Sequence, residues 1–247
     1  MTTINVGGLR ETLPAKFERY SEAFKKAENA MKLLLDVCTS PDFEAKEGWS
    51  KSYEKHGEQV YYKQFNVGKI FSLMVIFNET IQSLFSDHWD RVSTTIKWNP
   101  NIAYMHKIMK LTSHCDILRC ATTNIMFVKG REFLTCRLYR KIGTVIYVAA
   151  RSFEIDEMPE TEDKVRADLI LGGGRFSPLP QDPQKTRVDY TICVNPKIRL
   201  PQRIIDTCIA YSIHRDSVFA RKRMHEVAES QYQEDTQASE KLDDLKL

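Results

Sequence analysis

Two charged residues in this sequence stand inside strand-like apolar patterns. Asp116 shares one face of its strand with Leu118. Arg137 shares one face of the next predicted strand with two aromatic residues, Phe133 and Tyr139. Because an unpaired ion buried among apolar side chains costs several kcal/mol, each charge needs a partner if its face is buried. The residues alone leave two alternatives open: a buried Asp116–Arg137 pair, or two surface charges that make no functional contact.

Sequence motifs of enzyme catalysis are missing from the chain. It has no G-x-S-x-G nucleophile motif, no G-x-x-x-x-G-K-[ST] phosphate loop and no H-E-x-x-H zinc motif. The run Gly172–Gly174 is not followed by a helix pattern, which favours a loop with unusual backbone dihedrals over a phosphate site. His114, Cys115 and Cys120 lie along one strand with no fourth ligand close in sequence, which argues against a metal site. We therefore expect no enzyme activity and no cofactor or metal.

The charge of the chain is unevenly distributed. The formal net charge is +3, but the seven acidic residues and two lysines from Glu226 onward contribute −5, which leaves about +8 on the preceding body. A modestly basic body suits an anionic membrane surface as well as nucleic acid. Only Arg137 shares the aromatic strand face of Phe133 and Tyr139, so this strand is not a stacking platform for RNA bases. We expect transient contact with a membrane surface and no nucleic acid partner.

Six cysteines are present without a C-x-x-C pair, and most of them stand in apolar runs. This usage indicates reduced core residues of a cytosolic protein. The sequence shows no secretory signal and no apolar run long enough to span a bilayer. The expected localisation is cytoplasmic.

Hydrophobic periodicity predicts an α+β fold. Helices are expected over residues 15–37, 80–89 and 200–224. Strands are expected over residues 59–66, 69–77, 103–111, 116–122, 132–140, 144–151, 165–171 and 187–194. Short spacers favour antiparallel pairing, and residues 153–164 and 172–186 are predicted as loops. The chain divides into an N-terminal arm (1–14), one folded domain (15–225) and an acidic tail (226–247) that we expect to be disordered.

The last predicted helix has an apolar face built partly of small residues. Ile205, Cys208, Ile209 and Ser212 recur at helical spacing. A long amphipathic helix that follows a run of strands must lay this face on the sheet, and its small side chains leave room there. A sheet curved strongly around one such helix is a good way to enclose an elongated apolar cavity.

Three motifs resemble the START lipid-transfer domain. They are K-W-N-P-N (Lys97–Asn101), G-R-E-F (Gly130–Phe133) with Arg137 beyond it, and L-P-Q-R-I-I (Leu200–Ile205). Their order and spacing match the family over about residues 15–224. The resemblance implies a helix-grip fold, in which a curved antiparallel sheet wraps around a long C-terminal helix and encloses a tunnel for one lipid.

The sterol-binding branch of this family keeps a buried acid and an arginine on neighbouring strands, and Asp116 and Arg137 match those positions. The resemblance therefore favours the buried pair. It also implies that a mobile loop, here 153–164 with Met158, opens together with the terminal helix. The ligand-binding residues expected from the strands, the loop and the helix are Asp116, Leu118, Arg137, Tyr139, Met158, Ile205, Cys208, Ile209 and Ser212.

Three positions depart from the family pattern. Glu132 replaces the usual aspartate, which is a small change. Asp216 stands where close relatives carry a phenylalanine, so part of the tunnel is expected to be wetter or the helix register shifted. Thr95 and Asn99 replace the arginine and aspartate of the phosphatidylcholine-binding branch, so phosphocholine recognition is not expected.

The resemblance implies a non-enzymatic, monomeric carrier, peripheral to membranes, that binds one sterol or similar apolar lipid and transfers it between membranes. One alternative is a lipid-sensing module that binds a lipid and recruits a protein partner. A second is an enzyme that uses the cavity as its active site, which predicts a titratable group inside the tunnel without a charge partner.

Overall fold

A computed structural model describes residues 1–124 and 128–244, with side chains described through Met224 and at Glu226. The described residues form four α-helices: α1 (Ser21–Thr39), α2 (Pro41–Ala45), α3 (Ile81–Trp89) and α4 (Gln202–Asp244). They also form twelve strands: β1 (Thr3–Val6), β2 (Leu9–Thr12), β3 (Ser50–Lys55), β4 (Glu58–Phe65), β5 (Gly68–Phe77), β6 (Ile102–Lys110), β7 (Cys115–Thr122), β8 (Arg131–Ile142), β9 (Val145–Ser152), β10 (Val165–Arg166), β11 (Asp168–Leu179) and β12 (Asp182–Asn195). Two 3-10 helices, Ala15–Tyr20 and Val92–Lys97, precede α1 and β6.

One large sheet organises the fold. Its strand order is β3-β4-β5-β12-β11-β9-β8-β7-β6, and the short β10 adds a parallel pairing to β8. Every other pairing in this sheet is antiparallel, as the short spacers predict. The predicted fold class, an antiparallel sheet with a long C-terminal helix, is confirmed.

The two faces of the sheet carry different helices. On β8, Leu134, Cys136 and Leu138 belong to the core that packs against α1. The alternate residue Tyr139 packs in a second core, to which α4 contributes Ala210 and other side chains. This period-two alternation is what separates a solid α1 side from an α4 side that holds the cavity.

The first residues of the chain form a β-hairpin of β1 and β2. The sequence predicts only an N-terminal arm over residues 1–14, without secondary structure. Ile4, Val6 and Leu13 are buried in the core on the α1 side. Arg140, which is 1% exposed, donates from Nε to the Val6 carbonyl at 3.0 Å and lies 3.0 Å from a Glu11 carboxylate oxygen. The hairpin is therefore packed onto the body and is not a free arm.

The predicted loop over 172–186 is wrong, because β11 and β12 continue through it around a tight turn. The unusual dihedral expected in the glycine run is present at Gly173, with φ of 141°. A Cβ at Gly173 would lie 1.9 Å from the Val148 carbonyl oxygen on β9. Glycine at this position thus allows a close approach of two strands, and composition alone does not distinguish that from a loop.

Helix α4 is longer than predicted. It continues from Gln202 to Asp244, over most of the stretch for which a disordered tail is expected, while 245–247 lie outside the described residues. This stretch has no Gly or Pro and contains several Glu and Gln residues, which favour helix over irregular structure.

Candidate functional site

A cavity lies between the sheet and α4. Its volume is about 350 Å³, within the usual range of small-molecule sites. Most of its wall is apolar or glycine. These lining residues are Trp98, Val148, Ala150, Leu169, Gly172, Gly173, Phe176, Ile192, Ile213 and Ala220. The polar lining residues are His88, Asn99, Arg137, Tyr190, Thr191, Asp216 and Ser217.

The strand register explains why there is room. Arg137 pairs with Ala150, Ala150 with Gly172, and Gly172 with Ile192, so these four residues form one row across the sheet. The two middle positions of this row have a methyl group or no side chain. Space opens above them, flanked by Arg137 on one side and Ile192 on the other.

The polar wall of the cavity contains the predicted Asp116–Arg137 pair. Arg137 donates from Nε and Nη2 to the two carboxylate oxygens of Asp116, both at 2.7 Å. The residues are 5% and 1% exposed. Lys107 lies 3.5 Å from the same carboxylate, and the Arg137 guanidinium stacks over the Trp89 ring at 4.3 Å. The buried alternative is therefore the correct one, and the surface alternative is wrong.

Arg137 retains one unused donor. A guanidinium has five N–H donors. Two go to Asp116, and one each goes to the carbonyl oxygens of His88 and Trp89, at 3.1 Å. Among the described residues no acceptor takes the second Nη1 hydrogen. Since Arg137 lines the cavity, this hydrogen is available to a ligand oxygen.

His88 and Tyr190 supply a hydrogen-bond acceptor on another part of the cavity wall. His88 Nδ1 lies 2.9 Å from the Leu84 carbonyl, which can only accept, so Nδ1 carries the proton. Burial lowers the pKa of His88 and keeps the ring neutral. Nε2 therefore accepts from the Tyr190 hydroxyl, 3.0 Å away. With its own proton so engaged, the Tyr190 oxygen can accept from a ligand hydroxyl.

Besides Arg137 and the His88–Tyr190 pair, the cavity wall contains the carboxyl of Asp216 on α4. Its Oδ1 accepts from Asn99 Nδ2 at 3.0 Å and from Asn101 Nδ2 at 2.9 Å. Burial raises its pKa despite these two donors and the nearby Arg215. In the described part of the chain Asp216 forms no ion pair. The two asparagines of the W-N-P-N motif thus converge on one carboxyl oxygen.

Asp216→Asn is expected to stabilise the protein at neutral pH, by a few degrees in Tm. The folded-state pKa lies above the ordinary 3.8, so the ionised carboxyl destabilises the fold, and this cost grows as pH rises above about 3.8. The amide oxygen still accepts from Asn99 and Asn101, while Arg215 and Tyr190 stay nearby. Melting curves at pH 4 and pH 7 test this, and an equal shift at both pH values would contradict it.

The structure brings only part of the predicted site together. Among the expected ligand-binding residues, Arg137 lines the cavity and Asp116 holds it in place. Leu118 is buried but is not one of the lining side chains. Tyr139 packs its ring 4.8 Å from Trp89, and so supports the residue on which Arg137 stacks.

The predicted phase of the terminal helix is wrong. Cys208 and Ser212 are exposed, and so do not face the sheet. Ile205 and Ile209 line a second cavity of about 510 Å³ at the start of α4, beside the Lys69–Asp206 ion pair. The buried face of α4 includes polar residues such as His214, whose Nε2 lies 3.3 Å from a Glu58 carboxylate oxygen. A hydropathy scale assigns such residues to the protein surface because it takes no account of the hydrogen-bond and ion-pair partners that allow them to be buried.

Met158, which is expected to bind the ligand, does not line the cavity. Met158 packs against the core on the α1 side, opposite to α4. Its loop follows Phe153, which belongs to that same core, and the Met158 and Pro159 carbonyls accept from Arg166 at 3.1 Å. Because the chain leaves β9 toward α1, the loop cannot form a gate with α4 in this conformation.

Sequence analysis missed His88, Tyr190 and the cavity-forming Ala150–Gly172 row. His88 and Tyr190 are far apart in sequence and belong to a short helix and a strand, so no spacing rule joins them. The glycine run was the available signal. In a strand it marks a place where another group approaches closely.

Two further searches of the described residues bear on function. No group of three or more His, Cys, Asp or Glu side chains in this part of the chain is arranged to hold a metal ion. Of the described helices, none is both long and apolar enough to cross a membrane.

Comparisons with known proteins agree with this geometry. The START domain family model matches residues 29–230. The chain is 27% identical over 207 residues to Steroidogenic acute regulatory-like protein 1 of Caenorhabditis elegans, covering 83% of this chain and 80% of that protein. It is 26% identical over 215 residues to the mitochondrial steroidogenic acute regulatory protein of Rattus norvegicus, covering 85% and 73%. Human StAR-related lipid transfer protein 5 superposes with a TM-score of 0.74 at 20% identity, over 85% of this chain and 99% of that chain, which shows a shared fold.

Proposed function

The chain belongs to the START domain family, and on that premise we propose that it carries one apolar lipid, a sterol or a molecule of similar shape, between membranes. The supporting observation is the mainly apolar cavity under α4, in which the free Arg137 donor and the Tyr190 acceptor are joined through His88. A lipid hydroxyl can accept from Arg137 or donate to Tyr190. Its apolar body then lies along Val148, Phe176 and the small-residue row.

The energetics favour a carrier. A lipid with about twenty CH2-sized groups gains roughly 15 kcal/mol on leaving water, so its escape from a membrane is slow. A cavity with apolar walls supplies similar surroundings and removes most of this cost. The hydroxyl still needs a hydrogen bond after leaving water, which Arg137 or Tyr190 can provide.

We place this carrier in the cytosol, at membrane surfaces. All six cysteines are unpaired, which suits a reducing compartment. At the start of α4, Leu200 and Ile204 are exposed next to the basic Arg199 and Arg203. An apolar and basic surface of this kind suits transient contact with anionic lipids.

A competition assay tests the ligand class. The purified protein is expected to bind one cholesterol molecule per chain and to bind phosphatidylcholine at least tenfold more weakly. Thr95 is a neutral residue, and Asn99 is engaged by Asp216, so a phosphocholine group finds no ion partner at these positions. Equal or tighter retention of phosphatidylcholine would contradict the sterol assignment.

Transfer of a labelled sterol between vesicles separates a carrier from a lipid-sensing module. A carrier accelerates transfer in proportion to its concentration. A sensor binds the sterol with the same stoichiometry but leaves the transfer rate close to the protein-free value.

Asp216 favours a second candidate, an enzyme acting on the bound lipid, since it is a cavity carboxyl with no ion pair among the described residues. Its bonded neighbours are two amides, and neither is a nucleophile or a second acid. The candidates differ in one outcome. A carrier returns the bound lipid chemically unchanged after prolonged incubation, as mass spectrometry of the extract would reveal.

A further inference from the structure

Asp216 has more hydrogen-bonding capacity than its protein partners use. Both amide donors, from Asn99 and Asn101, go to Oδ1. Among the described residues, none bonds Oδ2. The adjacent Arg215 forms no ion pair with the carboxyl among the described residues, and its guanidinium lies over the Tyr211 and Phe219 rings, at 5.5 and 5.4 Å. One oxygen of a cavity-lining carboxyl is thus left to whatever fills the cavity.

A purely structural role does not explain an acid at this position. An asparagine oxygen would accept the same two bonds from Asn99 and Asn101 and so tie α4 to the turn before β6. It would do so without the desolvation that raises the pKa of Asp216. A carboxylate offers one thing that the amide does not, a strong charge-assisted acceptor at the second oxygen. This points to a ligand that carries a donor there.

The Asp216 position is distant from the Arg137 position. Asn101 immediately precedes Ile102, which pairs with Thr122 at one end of β7, whereas Arg137 pairs with Asp116 near the other end. Six residues of extended strand separate these anchor points, about 20 Å of backbone. Arg137 and Asp216 thus enter the same cavity from partners that are anchored near opposite ends of β7.

The wall between these two positions is apolar. It includes Val148, Phe176, Ile192 and Ile213. Tyr190 also lies within range of Asp216, whose charge adds to the effect of burial in raising the pKa of the phenol. A single elongated ligand can therefore meet a polar group, an apolar wall and a second polar group in turn.

We propose that Asp216 is a specificity residue that accepts a hydrogen bond from a second hydroxyl of the ligand. The preferred ligand is then an apolar lipid with a hydroxyl at each end, such as a sterol hydroxylated on its side chain. The first hydroxyl bonds to Arg137, and the second donates to Asp216 Oδ2. This rests on the proposed lipid-binding function and names the ligand class within it.

Equilibrium binding of two sterols to the full chain tests the proposal. The probes are cholesterol and cholesterol bearing one hydroxyl at the end of its side chain. The wild type is expected to bind the diol about tenfold more tightly or better, as for one hydrogen bond to a charged group. In Asp216→Leu the preference for the diol over cholesterol is expected to disappear. Asp216→Asn, which keeps the tie to α4, is expected to retain only part of the preference.

The matched control is Asp206→Leu, which removes an acid from the same helix outside this cavity, where it pairs with Lys69. It should leave the ratio of the two affinities unchanged. If wild type binds both sterols equally and Asp216→Leu does not alter the ratio, the inference is wrong while the carrier function stands. If Asp216→Leu weakens both sterols by the same factor, Asp216 only holds the helix, which also overturns it. Binding of neither sterol by the wild type would instead refute the proposed function.

Discussion

Arg137→Leu is expected to lower the free energy of unfolding by about 3–5 kcal/mol, because it leaves the Asp116 carboxylate buried without its counter-ion. Lys107, at 3.5 Å, is partly exposed and compensates in part. The change also leaves the carbonyl oxygens of His88 and Trp89 without the donors that they now have. Chemical denaturation monitored by circular dichroism measures the loss.

The double replacement Asp116→Leu with Arg137→Leu is expected to recover much of this stability, since neither charge then has to be desolvated. Sterol affinity is not expected to return, because the donor to the ligand hydroxyl is still missing. Arg151→Leu on β9 is the control, since Arg151 has no ion pair among the described residues, and it should cost about 1 kcal/mol or less. Small, additive losses with wild-type sterol binding would remove the pair from the proposed site.

Glu132→Gln is expected to be at least as damaging to stability, by roughly 3–5 kcal/mol. Glu132 is fully buried and accepts from Arg119 Nε and Arg166 Nε, both at 2.9 Å, and from Tyr104. It joins β8 to β6, β7 and β10. The variant leaves the buried Arg166 with only Glu154 as a charged partner. Glu154→Gln is the matched control, and because Glu154 is largely exposed it should cost about 1 kcal/mol or less.

The Glu132 contribution is expected to depend on pH. Burial alone would raise its pKa, but the hydrogen bonds from Arg119, Tyr104 and Arg166 outweigh this and lower the pKa to about 2, from an ordinary 4.5. The folded state therefore binds this proton more weakly than the unfolded state. The stabilisation, roughly 3 kcal/mol, is complete above about pH 4.5 and is lost as pH falls toward 2. A stability gap between wild type and Glu132→Gln that stayed constant from pH 6 to pH 3 would contradict this.

The part of the site that could be predicted depends on local alternation. Asp116 and Arg137 stand on strands joined by an antiparallel pairing, and family resemblance placed them in register. The strand pairs β4–β5 and β8–β9 followed from short spacers in the same way. Such predictions succeed because a period of two fixes which side chains share a face.

The part of the site that could not be predicted depends on packing between residues that are distant in sequence. Whether Cys208 or Asp216 faces the sheet is decided by the rotation of α4, and that rotation follows from bonds to Asn99, Asn101 and Glu58. These partners are distant in sequence. A hydropathy pattern assigns the polar side chains to solvent, and so rotates the helix away from its actual position.

The hairpin of β1 and β2 has a practical consequence for protein production. A fragment trimmed to the family boundaries would begin at residue 29, in the middle of α1, and would lack the hairpin altogether. It would uncover the apolar surface beneath Ile4, Val6 and Leu13 and remove two partners of Arg140, the Val6 carbonyl and the Glu11 carboxylate. Poor solubility of such a fragment would then reflect where it was cut, and expression vectors for binding studies should retain the sequence from Thr3 onward.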